Sequence, residues 1–234
     1  MSAQERPLRF LNGAIIDKYF HTSKGPLLAD LLTRATFAVS EESLKKAVLE
    51  RDMLPGDFAD FEVFREGPLD NASMAKQGFP GTTAESISEH GRLTGYLKEF
   101  MSPQPTSSLT VGANIAAATV VHLFESEKAV LTWIDEVFSK QFEEHVGKPI
   151  APEQDLIGVT KLPVRGFHDH AAALRALQSG PKGLVSSTII DFRLGRILGV
   201  TYVVAYGDVE RLALAEQIGI RLERQIVRVA LGAA

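Results

Sequence analysis

Residues 92–124 read RLTGYLKEFM, SPQPTSS, LTVGANIAAATVVHLF, and this block decides the fold class. Arg92 to Met101 is a β-rich run, Ser102-Pro103-Gln104-Pro105 turns the chain, and Leu109 to Phe124 is a second, longer run. Such runs flanking a proline turn predict an antiparallel hairpin. Along the second run, Val111, Ala113, Ile115, Ala117, Thr119, Val121 and Leu123 alternate onto one face. Their small size predicts a helix packed closely over them.

Working outward, Ser126 to Val146 supplies an amphipathic helix: Val130, Trp133, Ile134, Val137, Phe138 and Phe142 recur at spacings of three and four. Gly147-Lys148-Pro149 ends it. Leu184–Phe192 and Arg196–Tyr206 form a second hairpin, joined through Arg193-Leu194-Gly195. The last helix, Val209 to Leu231, buries Leu212, Ala215, Gly219, Leu222, Ile226 and Val229. Upstream, Leu27–Ala38 is helical, and Ser40 caps a second helix over EESLKKAVLER. Leu54-Pro55-Gly56-Asp57 is a turn, and a short strand follows with Phe58, Phe61, Val63 and Phe64. Gly67 to Gly81 reads as a loop with a helical turn near Met74, and Thr82 with Glu85 caps a short helix. Residues 171–177, AAALRAL, have alanine-rich helical propensity yet lead straight into a strand, so helix and strand both stand open there.

The expectation is an α+β fold, an antiparallel β-sheet built from hairpins and backed by amphipathic helices as a two-layer sandwich. Residues 1–52 are expected to be a helical extension ahead of a domain spanning 53–234. The chain has 234 residues, 45% of them hydrophobic and 23% charged, which argues against wholesale disorder. A net charge of −4 with scattered Lys and Arg disfavours a nucleic-acid partner. With no cysteine, disulfides and thiolate metal sites are excluded. No segment has the length of a transmembrane helix, and Asn12, Asp17 and Lys18 interrupt a signal-peptide core. The chain reads as soluble, with an exported origin open if a signal was removed. No cofactor is expected.

Three short segments then carry a resemblance: Leu54-Pro55-Gly56-Asp57-Phe58, Gly91-Arg92-Leu93-Thr94-Gly95-Tyr96, and Asp191-Phe192-Arg193-Leu194-Gly195-Arg196. As an ordered set over residues 53–231 they resemble bacterial, often exported, domains of unassigned function with a PsbP-like or LpqN-like α/β layout. The resemblance implies that 171–177 is a strand forming a three-stranded meander with the hairpin after it. It implies no catalytic residue.

Candidate chemistry is sparse. His168 and His170 flank Asp169, and two imidazoles two residues apart could share a metal in a small hydrolase. A third ligand is not identifiable, and a polar loop with Asp169 capping a local turn is the simpler account. Glu143-Glu144-His145 is a helix terminus, His122 is a strand histidine opposite Val121 and Leu123, and no G-x-S-x-G elbow is present. A groove is the stronger idea. Arg92, Thr94 and Tyr96 share one strand face, Asp191 and Arg193 share another, and Tyr202 and Tyr206 share a face of the last strand. If these faces converge, they line a site for a small molecule or protein partner. The leading expectation is thus a non-enzymatic binding or interaction domain. The alternatives are the metal-dependent hydrolase, or a structural subunit whose N-terminal segment reaches over a neighbour in a homo-oligomer.

Overall fold

The structure is a computed structural model that describes residues 26–104, 110–180 and 183–234. Its helices are α1 (Pro26–Thr36), α2 (Glu41–Ala47), α3 (Asn71–Gln77), α4 (Ala84–Glu89), α5 (Glu127–Thr132), α6 (Ser139–Glu144) and α7 (Leu212–Ala230). A π-helical segment, Trp133–Phe138, joins α5 to α6 without a break. The strands are β1 (Glu62–Pro68), β2 (Arg92–Met101), β3 (Asn114–Phe124), β4 (Pro149–Ala151), β5 (Gln154–Leu162), β6 (Ala171–Gly180), β7 (Gly183–Leu194) and β8 (Ile197–Tyr206). They form one eight-stranded sheet in the order β1-β2-β3-β8-β7-β6-β5-β4. Every neighbouring pair is antiparallel.

The α+β class is therefore as expected, and so is the backing of the sheet by helices, but helices lie on both faces rather than forming the two layers expected. Both predicted hairpins exist, and β3 and β8 bring them side by side at the centre, with Val121 opposite Gly199. Gly195 takes φ 55° at the first position of the β7–β8 turn, where two-residue hairpin loops favour glycine.

Central strands are buried on both sides, and the alternation along them sorts the core into two parts. On one face Ala117, Val121, Leu123, Ile190, Phe192 and Val203 pack with Ile218, Leu222 and Ile226 of α7 and with Leu44 and Ala47 of α2. On the other, Phe124, Leu174, Ala176 and Leu198 pack with Val130, Trp133, Ile134, Val137 and Phe138. The helix expected over Val121 and Leu123 thus lies on the opposite face. What covers those residues is α7 and α2. The reason is chain direction: β3 ends at Phe124, an opposite-face residue, and Ser126 caps α5 immediately, its hydroxyl accepting from the Ala129 amide at 3.2 Å.

Residues 171–177 are strand, as the resemblance implied and against alanine's helical propensity. The alanines suit a strand covered from both sides, with Ala173 in one core and Ala176 in the other. Burial and pairing with β5 and β7 override the intrinsic preference. Strands β4 and β5 have weaker signals and were not anticipated. The second strand of the first hairpin starts at Asn114, so Val111, 75% exposed, is outside the sheet. Part of the expected strand and turn, residues 105–109, lies outside the described residues. The cap of α4 is Thr83, reciprocated by Ser86, one residue later than expected. The second helix stops at Ala47 rather than Arg51.

Residues 32–49 belong to the main core. Leu32, Val39, Leu44, Ala47, Val48 and Leu49 are all buried in the cluster beneath α7, and the Leu49 amide donates to the Thr119 hydroxyl of β3 at 3.2 Å. Arg196, in the β7–β8 turn, donates to the carbonyl of Thr36 at 3.2 Å and stacks over the Phe37 ring. Residues on both sides of position 52 contribute to this core. Leu44→Ala should accordingly cost about 2–5 kcal/mol, read as a lower urea midpoint. A change below about 0.5 kcal/mol would place α2 outside the cooperative unit.

Candidate ligand cavity between α3 and the π-helical segment

Chemistry begins at a β-bulge. The β2–β3 register shifts between Arg92, opposite Phe124, and Thr94, opposite Leu123. The extra residue, Leu93, is 42% exposed. The shift puts Arg92 on the face of Phe124 and His122, and leaves Thr94 and Tyr96 on the face of Leu123 and Val121. Arg92 then runs over Gly95, where an added Cβ would lie 2.7 Å from both the Arg92 Nη2 and the His122 Nδ1.

Arg92 is 1% exposed. Its Nε donates to His122 Nδ1 at 3.0 Å, its Nη1 to Asn71 Oδ1 at 2.5 Å, and its Nη2 to the Leu69 carbonyl at 2.6 Å. Burial lowers its pKa to about 10, so it remains a cation at neutral pH. Because Arg92 donates to Nδ1, the neutral His122 ring carries its proton on Nε2. Burial, and then the Arg92 charge, push the His122 pKa well down and hold the ring neutral.

Asp191 projects from β7 on this same face and is 2% exposed. Burial raises its pKa to about 8, against the Trp133 indole N–H, which bonds to the carboxyl and pulls it the other way. Tyr202 donates to Glu99 Oε1 at 2.6 Å, and Glu99 is also paired with Arg65 of β1. Burial pushes the Tyr202 pKa up.

These groups surround a cavity of about 440 Å³. Its floor is the sheet: Leu97, Val120, His122, Val200, Tyr202, Ile189 and Asp191. One wall is α3 and the turn after it, through Met74, Gln77 and Phe79; the other is Trp133, Phe138, Gln141 and Phe142. The π-helical segment widens the helix where it crosses the sheet, and Trp133, Ile134, Val137 and Phe138 are all buried there. Single π turns inside α-helices often mark functional sites. At the far end His145 stacks on Phe79 at 4.3 Å, and Phe142 meets the same ring edge-on at 4.9 Å.

Of the residues singled out from sequence, Asp191 and Tyr202 meet in this cavity. Arg92 supports it from behind His122. Tyr96 is separated by the bulge and bonds to Glu66 across the other face at 3.0 Å. Arg193 shares the face of Asp191 but turns away to Glu127 at 3.0 Å and to Asp169 at 2.5 Å. Tyr206 sits at the strand end against Gly183. The expected convergence is thus partial, because the bulge and the length of β8 divide the set.

The proposed metal pair does not gather a ligand set. His170 Nε2 bonds Asp135 at 2.6 Å, Asp169 is held by Arg193, and the His168 amide donates to Glu223 of α7 at 2.9 Å. Among the described residues no group of three or more histidine or acidic side chains could hold a metal. The segment is a loop pinned by ion pairs. Sequence reasoning placed His122 as a bystander and passed over Trp133, Gln77 and Val200 as site residues. The signal available for His122 was its pairing with Gly95 once the hairpin register is set.

No family model matches the chain, and no curated protein matches it in sequence. The PsbP-like or LpqN-like layout therefore has no support beyond its motifs. Among solved structures, the chain is similar in fold to the extracellular domain of PknH from Mycobacterium tuberculosis, with TM-score 0.55 at 10% identity. The match covers 80% of this chain and 96% of that one. At this identity the likeness shows a shared fold. Among the described residues no helix is long and apolar enough to cross a membrane.

The buried carboxyl has a measurable consequence. Between the unfolded Asp value of about 4 and the folded value of about 8, the native state holds a proton that the unfolded state has released. Stability therefore falls as pH rises through that window. Asp191→Asn mimics the protonated form and lacks this slope. Urea denaturation should show the variant gaining on the parent between about pH 5 and pH 8; a constant difference would mean that Asp191 is ionised in the fold.

Proposed function

We propose that this chain is a non-enzymatic binding domain whose ligand occupies the cavity between α3 and the π-helical segment. The observation that carries the reading is the composition of that cavity. Its floor is apolar, from Leu97, Val120, Ile189 and Val200, and it is interrupted by a buried acid and a buried histidine. Preformed concavities of a few hundred cubic ångströms with few polar groups are typical of small-molecule sites. Among the described residues no nucleophile with an adjacent base faces Asp191, and His122 is held neutral with its Nδ1 occupied, which favours binding over hydrolysis.

The fold likeness to an extracellular domain supports an exported origin, as a reading by analogy. The small-molecule reading is favoured over a protein partner on the sheet face, because α3 and the π-helical segment stand over that face as walls. Of the N-terminal segment, Leu32, Val39, Leu44, Ala47, Val48 and Leu49 pack into this chain's own core, which makes a homo-oligomer contact through that segment the weaker reading.

Val200→Trp, from the middle of the floor, fills the cavity. It should abolish saturable one-to-one binding of a neutral solvatochromic dye such as Nile red, with the parent's fold retained by circular dichroism. Leu97→Phe, from the neighbouring part of the floor, supplies a second filled variant if the first is unstable. Unchanged dye binding in a folded filled variant would sink the reading.

A further inference from the structure

The cavity wall carries four ionisable groups, Arg65, His122, Asp191 and Tyr202, and three of them are already committed. Arg65 is paired with Glu99 and donates to Gln77 at 2.7 Å. Tyr202 donates to Glu99. His122 has its Nδ1 filled by Arg92, and Arg92 directs its N–H groups at His122, Asn71 and Leu69, away from the cavity it supports. Asp191 alone has an unfilled charge capacity: a carboxylate accepts about four hydrogen bonds, and its partner is the one indole N–H of Trp133.

The surroundings of Asp191 sharpen this. Across β8 its neighbour is Val200, and across β6 it is Ala172. Arg193, two residues along its own strand, is spent on Glu127 of α5 and on Asp169. From β3 the facing group is the neutral His122, and from the π-helical segment it is Trp133, with Asp135 engaged outward by His170. Among the described residues no cation reaches the carboxyl. Trp133, Phe138, Phe142 and Phe79 line the walls nearby, and aromatic faces attract cations.

Building on the cavity as a ligand site, we infer that its ligand is an organic cation, a primary or secondary amine with an apolar body, whose ammonium donates to Asp191. The hydrocarbon lies along Leu97, Val120, Ile189 and Val200. Binding moves one proton from Asp191 to solvent and leaves an ammonium–carboxylate pair in its place. A buried acid without a partner is costly as an anion and is stabilised as one only when a cation arrives.

The proton release sets the test. Calorimetric titrations use phenylbutylamine, phenylbutanol and phenylbutyrate, which share a body and differ in head-group charge, at about pH 6, 7 and 8. The amine should bind at least about tenfold more tightly than the other two at pH 8, with affinity rising roughly tenfold per pH unit below the Asp191 pKa. Asp191→Asn, isosteric with the protonated acid, should remove the preference for the amine and keep the binding of the alcohol. Equal binding of amine and alcohol, unaffected by Asp191→Asn, overturns the cationic ligand and leaves the cavity reading standing. Preferred binding of the acid, weakening as pH rises, also overturns it. If none of the three binds, the proposal fails, and Nile red binding to the parent and to Val200→Trp decides separately whether the cavity is a site at all.

Discussion

The guanidinium of Arg92 is the constraint on which the working face of this protein depends. A cation taken out of water costs several kcal/mol unless its donors are matched. Here they are matched by neutral acceptors on separate parts of the chain: the His122 ring on β3, the Leu69 carbonyl before α3, and the Asn71 amide on α3 itself. The bonds tie the start of α3 to the sheet and fix the His122 tautomer. They require a bulge to put Arg92 on the correct face, and a glycine at position 95 to let it pass. One local irregularity in β2 thereby positions a cavity wall some twenty residues upstream of it.

The rest of the architecture follows from a sheet buried on both faces. Strands β3, β6 and β8 are rich in alanine, glycine and valine because helices approach from two sides. Gly199 leaves room for the Phe192 ring, and Gly219 of α7 for Phe167. One face is closed by α7 with α2 and is a stability element. The other is only partly closed, by α5, the π-helical segment and α3, and the gap between these elements is the cavity. The same division explains why the polar groups differ. Lys98, on the closed face, is neutralised by Glu50 at 2.6 Å and Glu66 at 3.2 Å, whereas Asp191, on the open face, has no charged partner among the described residues.

Much of the fold was legible because its signals are local. The two hairpins and helices α5 and α7 were announced by period-two and period-3.6 patterns bounded by proline and glycine. Legibility stopped where tertiary contacts decide. Residues 171–177 carry a helical composition, and only pairing on both edges makes them a strand. The end of β3 at Phe124 was legible, but which face α5 covers was misread, because alternation along a strand buried on both sides does not say which face the next helix takes. The site was half legible: Asp191 and Tyr202 stood out as polar groups in apolar strands. His122 and Trp133 did not, since a bulge at Leu93 and a π turn are single-residue shifts without a sequence signature of their own.

The proposed site is a preformed cavity on the open face whose one uncommitted charge among the described residues, Asp191, is neutral until a ligand arrives. Carbon-13 NMR of the aspartate carboxyls across a pH titration of the ligand-free protein tests it directly, with Asp191→Asn assigning the resonance. The expected midpoint lies near the value of about 8 that burial imposes. A midpoint near the ordinary aspartate value of about 4 would mean a solvated or already paired carboxylate, and would contradict it.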